Sequence, residues 1–181
     1  MNSQIAASRP FSLPKYDAAP PTQFSLVYLL VTQTQGLELQ ADLQERFART
    51  RCLTHLALPE LEDLPTLQRV LAEHLRASHV GVQLHVQGDE SFLWQVRTVA
   101  IDAGLLADEI TLSLNSGTGE GGSRSVFCVH CARLQDATDA ALHTCCQCAV
   151  VLEVRQHFSE RLGAYIGVCA DADRPYGEDC A

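Results

Sequence analysis

The sequence predicts an α/β protein: a small parallel sheet with flanking helices, followed by a four-cysteine module of the zinc-ribbon type. Three observations carry that prediction. Between residues 24 and 115, short apolar runs alternate with segments of helical period, as βαβ units require. A stretch from Asn115 to Ser123 then has the glycine- and serine-rich composition of a flexible linker. Beyond it, five of the eight cysteines (Cys128, Cys131, Cys145, Cys146 and Cys148) fall within 21 residues.

The elements follow in order. Residues 1–23 carry Pro, Ser and Ala without a sustained period and read as a tail or an extended strap. Phe24 to Thr32 is apolar nearly throughout, as expected of a strand buried on both faces. Leu39, Leu43 and Phe47 stand four residues apart among charged neighbours, the stripe of an amphipathic helix. Cys52 to Leu58 reads as a second strand. Asp63 can cap a helix that carries Leu64, Leu67, Val70, Leu71 and Leu75, with Pro65 in its first turn. Val80 to Val86 alternates as a third strand. After Gly88, a further helix places Phe92, Val96, Val99, Ala100 and Ala103 on one face and stops at Gly104. Glu109 to Leu114 makes a fourth strand. The expected divisions are thus a tail (1–23), an α/β domain (24–115), a linker (116–125) and a ribbon domain (126–181).

Composition narrows the function. The 181 residues carry a net charge of −9, with 46% hydrophobic and 19% charged residues. A chain of this kind buries a core but lacks the clustered Lys and Arg that nucleic acid or an anionic membrane would need. From Gly121 onward, five Arg stand against eight acids, so the cysteine-rich part is acidic as well. No apolar run approaches the ~20 residues of a bilayer span, and no secretory signal is visible. The expected location is cytoplasmic, where thiols stay reduced and crowded cysteines point to a metal rather than to disulfides.

The α/β part lacks a dinucleotide fingerprint. The turn after the first strand reads Gln33-Thr34-Gln35-Gly36-Leu37, with one glycine, and there is no P-loop lysine. Gln87-Gly88-Asp89-Glu90, after the third strand, is the one turn with character. Gly88 is either a cofactor-binding position or a turn residue beside an Asp89 cap. The run Val82-Gln83-Leu84-His85-Val86-Gln87-Gly88-Asp89-Glu90-Ser91-Phe92-Leu93, with Val96 and Ala103-Gly104-Leu105, resembles the last βα unit of the nicotinamide-binding domain in ferredoxin-reductase-like flavoproteins. Gln87 and Asp89 replace the Cys and Pro typical of that family, so the resemblance implies a degenerate form of its fold. His55, His74, His79 and His85 share no motif and read as structural.

The chemistry lies in the cysteines. Cys128-Val129-His130-Cys131 and Cys145-Cys146-Gln147-Cys148 are two C-x-x-C pairs separated by 13 residues. Each pair turns two thiolates to one side of a knuckle, and two knuckles complete a tetrahedral all-sulfur site. Zinc suits this set, and a rubredoxin-type iron uses the same ligands. Cys146 would shorten the second knuckle and is read as a bystander. Ala132 and Ala149 follow the pairs, so neither is a haem-attachment C-x-x-C-H.

The ribbon continues through Val150 to Val154 and then Arg155-Gln156-His157-Phe158-Ser159-Glu160-Arg161-Leu162-Gly163-Ala164-Tyr165-Ile166-Gly167-Val168-Cys169-Ala170-Asp171. Together with the two knuckles, this run resembles the C-terminal signature of the DmmA-type small subunit of bacterial dimethylamine monooxygenase, with Gln156 where an acid is expected. The resemblance implies a complex that oxidises dimethylamine to methylamine and formaldehyde with O2 and NAD(P)H. It further implies a haem-bearing oxygenase subunit and a flavin and iron–sulfur reductase subunit as partners. No catalytic residue is expected in this chain. His157, Phe158, Arg161 and Tyr165 are expected at a docking surface. An iron-bearing electron carrier and a free-standing zinc-ribbon adaptor are the competing readings.

Overall fold

The computed structural model describes residues 12–16, 27–34, 52–78, 81–115, 124–138 and 140–172. The chain divides into two compact units, Tyr16–Arg124 and a second in which the segment ending at Lys15 joins Ser125 onward. The helix expected over Leu39, Leu43 and Phe47 lies outside the described residues, as does the linker from 116 to 123. No helix among the described residues is long and apolar enough to cross a membrane.

The first unit is α/β, as the alternation of patterns requires. Its strands are β1 (Val27–Thr32), β2 (Cys52–Ala57), β3 (Val82–Gly88) and β4 (Ile110–Leu114). All pair in parallel, in the order β2-β1-β3-β4. Helix α1 (Leu64–Ala77) starts where Asp63 accepts a 2.8 Å hydrogen bond from the Thr66 amide, with Pro65 in the first turn. The Thr66 side chain, together with that amide, holds the Asp63 carboxyl below its ordinary value. Leu67, Leu71 and Leu75 form its buried stripe. Helix α2 (Glu90–Asp102) is capped by Asp89 and ends at Gly104, whose φ of +105° needs no Cβ penalty.

One expectation about the sheet changes. Strand β3 runs from Val82 to Gly88, Val80 of the expected strand lying outside the described residues, and it buries both faces instead of alternating. A strand in the interior of a parallel sheet is covered on both sides, so even Gln83 and His85 are buried, His85 to 1% exposure. Of the other histidines read as structural, His79 lies outside the described residues. His55 shares a 3.0 Å hydrogen bond with Thr32 Oγ1, and His74 Nδ1 lies 2.9 Å from the Val70 carbonyl.

The second unit is one five-stranded sheet, ordered β6-β5-β9-β8-β7. Its strands are β5 (Arg124–Cys128), β6 (Arg133–Ala137), β7 (Leu142–Thr144), β8 (Val151–Ser159) and β9 (Ala164–Cys169). Strands β7, β8 and β9 form antiparallel pairs, while β5 lies parallel to β9. The core is small: Val126, Leu152, Val154, Phe158, Ala164 and Tyr165. Gly167 permits it, because a Cβ there would meet Val126 Cγ1 at 2.9 Å and Leu152 Cδ1 at 3.0 Å. Strand β8 is longer than the Val150–Val154 segment expected and carries a register shift between Val154 and Phe158. Beside that irregularity, Ser12 bridges to His157, and the Phe158 amide donates to the Ser12 carbonyl at 2.7 Å. Part of the expected tail is therefore a strap.

Candidate metal centre

Both C-x-x-C pairs sit at the turns between strands. Cys128 closes β5 and Cys131 precedes β6; Cys145 follows β7 and Cys148 precedes β8. The two turns use the same local device. Ala132 and Ala149, each directly after the second cysteine, adopt the left-handed conformation with φ of +57° and +58°. That conformation aims the next amides back at sulfur, and those of Arg133 and Val150 hydrogen-bond to Cys131 and Cys148. Alanine is disfavoured there by about 1–2 kcal/mol relative to ordinary backbone, strain of the kind stored at functional sites. The second knuckle is braced further. Cys145 N–H donates to the Val150 carbonyl at 2.9 Å, and the Cys146 amide donates to Gln135 Oε1 on β6 at 2.8 Å.

The four sulfurs of Cys128, Cys131, Cys145 and Cys148 all lie within 4.8 Å of one another. Two close approaches cross between the knuckles: Cys128 to Cys148 at 3.8 Å and Cys131 to Cys145 at 3.6 Å. A tetrahedron with metal–sulfur bonds of about 2.3 Å has edges of about 3.8 Å. The cage therefore fits a tetrahedral thiophilic ion, and its cysteines are free, since disulfide sulfurs lie about 2.05 Å apart. Cys128 and Cys145 are buried and the other two are half-buried.

Electrostatics point the same way. Burial pushes the Cys131 thiol up to about 12, and the neighbouring Cys145 thiol adds to the effect. The Cys148 amide, seconded by that of Gln147, draws Cys145 down to about 6. Cys148 is raised, because burial and the Cys145 thiol outweigh the pull of the Val150 amide. Four sulfurs this close cannot all ionise by themselves, so their protonation splits apart. A divalent cation is what allows all four to be thiolates together.

Cys146 is exposed and takes no place in the cage. Cys169, at the end of β9, donates its S–H to Asp171 Oδ1 at 2.7 Å, and that bond raises the thiol. The positive φ of Ala132 and Ala149 and the Gln135 brace are parts of the centre that motif reading does not find. The alanines following each pair are the available signal, since that position ordinarily favours glycine.

The residues expected at a docking surface separate into two kinds. His157 and Arg161 are exposed. Phe158 and Tyr165 are not: both are buried, with ring centroids 5.0 Å apart in an edge-to-face contact. The β8–β9 register sets Phe158 opposite Tyr165, so each ring covers the other. Within the chain alone, these two rings leave little of their surface uncovered.

At the carboxyl ends of β1 and β3, Gly88 is the last residue of β3 rather than a turn. It is required by close approach: a Cβ would stand 2.5 Å from Phe92 Cδ1 and 2.9 Å from Gln33 Oε1.

Fold and site together define a protein in which a parallel α/β unit is followed by a sheet module whose four thiols could hold a metal ion. Residues 125–168 match the family described as "Dimethylamine monooxygenase subunit DmmA-like, C-terminal domain". Over 174 residues, 96% of this chain and 97% of the relative, the chain is 48% identical to the "Heme-dependent oxidative N-demethylase delta subunit" of Ectopseudomonas mendocina (strain ymp). The chain belongs to the family of DmmA-type small subunits. No solved structure matches it.

Proposed function

We propose that the chain is a non-catalytic docking subunit of a multi-component oxidative N-demethylase acting on dimethylamine, with zinc in its four-cysteine cage. The single observation that carries this reading is the near full-length identity to a relative named as the delta subunit of a haem-dependent oxidative N-demethylase. In such an assembly O2 and NAD(P)H are consumed, and methylamine and formaldehyde are released. Oxygen chemistry belongs to a haem-bearing subunit, and electron delivery to a flavin and iron–sulfur reductase subunit. Zinc bound by Cys128, Cys131, Cys145 and Cys148 supplies no redox chemistry; it fixes the two knuckles against each other. Surface composition supports docking, since Val129, Leu134, Leu142 and Val151, all near the knuckles in sequence, expose large apolar side chains. Exposed His157 and Arg161 provide the polar part of such a surface.

Two measurements test this. Metal analysis and a visible spectrum of the purified chain should show about one zinc and no colour. A red protein with about one iron would make it an electron carrier between reductase and oxygenase. Co-purification should recover haem and flavin subunits with the chain, and Arg161→Ala should weaken that association while leaving the chain folded. A chain that never associates with them is a free-standing adaptor.

A further inference from the structure

In open parallel sheets, ligands bind where the chain changes direction across the sheet, at the carboxyl ends of the two strands involved. Here the chain leaves β1 for β2 on one side and returns to β3 on the other, so that point lies between β1 and β3. The crevice is bridged by the chain's own groups. Gln33, just past β1, donates its side-chain amide to Asp89 Oδ2 at 2.8 Å, and the Asp89 amide donates to Gln33 Oε1 at 2.6 Å. The backbone closes the same gap, with Gln33 N–H on the Gln87 carbonyl at 3.0 Å. Asp89 Oδ1 accepts from the Phe92 amide at 2.8 Å, which commits the α2 N-terminus. Beside it, Tyr16 Oη accepts from Trp94 Nε1 at 3.1 Å and donates to Glu90 Oε2 at 2.7 Å.

From this geometry we infer that Gln33 and Asp89 form an internal clasp that takes the place of a ligand, so that the point between β1 and β3 is closed by the chain itself and is not a nucleotide site. The helix-terminal amides that hold a phosphate in nucleotide-binding units face a carboxylate of the chain itself. A second carboxylate, Glu90, stands next to it, so an incoming phosphate would meet two negative charges. Gly88 fits the same account. In phosphate-binding turns glycine lets backbone approach the ligand, and here it lets backbone approach Gln33 Oε1. The clasp belongs to the isolated chain and stands whether or not the proposed assembly forms.

Trp94 is the single tryptophan, and its indole bonds to Tyr16, whose hydroxyl bonds to Glu90 beside Asp89, so its fluorescence reports on the α2 N-terminus next to the clasp. Titration of the full chain with NADH, NADPH and FMN should leave Trp94 emission unchanged after inner-filter correction. Gln33→Met keeps the length of the side chain but removes both of its hydrogen bonds. It should speed hydrogen exchange at the Asp89 amide about tenfold or more, the factor expected from losing a bond worth ~1.5 kcal/mol. Saturable quenching by any of the three nucleotides would overturn the inference. So would Gln33→Met exchanging at the wild-type rate.

Discussion

The two units of this chain are held together by different means. The α/β unit closes over a continuous apolar core, with Leu29, Leu30, Val31, Leu67, Leu71, Leu84, Val86, Leu93 and Val96 almost without exposure. The four-thiol unit has few such residues, and two of its buried positions are the sulfur donors Cys128 and Cys145. A core of Leu and Val gains stability with every methylene buried, whereas a four-sulfur cage gains it in one step when the ion binds. Stability in the first unit is therefore distributed, and with a metal in the proposed cage it would be concentrated at one point in the second.

That contrast can be broken most severely at the metal. Removing it with a strong chelator should disorder the four-thiol unit while the α/β unit keeps its slow-exchanging amides, a split that hydrogen-exchange mass spectrometry reads directly. Cys131→Ser should have the same consequence, seen as loss of bound metal; a variant that keeps both metal and order would show that the ligand set is wrong. Acid acts in the same direction. The metal-bound state carries fewer protons on its sulfurs than the free one, so falling pH favours release, measurable as metal retained after gel filtration at successive pH values.

The reverse experiment strikes the α/β core. Leu84→Ala, in the middle of β3, should cost ~2–5 kcal/mol of that unit's stability in a denaturant titration and leave the metal content unchanged. Equal loss of metal would mean that the units are not independently stabilised. The smallest effect is expected at the knuckles. Ala132→Gly and Ala149→Gly relieve left-handed backbone and should each stabilise the metal-bound chain by about 1 kcal/mol, read as a higher denaturation midpoint. No gain would mean that neighbouring contacts already offset the strain.

Legibility in the sequence follows the same division between local and distant causes. Asp63 with Pro65, Asp89 with the helix after it, and the two C-x-x-C turns are all decided within a few residues, and each is where its pattern places it. What local pattern misses depends on residues far apart in the chain. Gln33 and Asp89 are separated by 56 positions, and neither has a motif. The burial of Gln83 and His85 comes from β3 standing between β1 and β4, which periodicity within the strand cannot report. Phe158 and Tyr165 suggest an apolar surface because the register that lets them cover each other arises only when β8 and β9 pair.

The proposed cage has a consequence for what would happen if a bound ion were lost in air. Two close sulfur pairs, Cys128 with Cys148 and Cys131 with Cys145, join opposite knuckles. Once loss of the ion frees the knuckles to move, oxidation of these pairs ties one knuckle to the other and consumes the thiolates needed to accept metal again. Added metal would then fail to rebuild the unit until a reductant had reopened the crossed pairs.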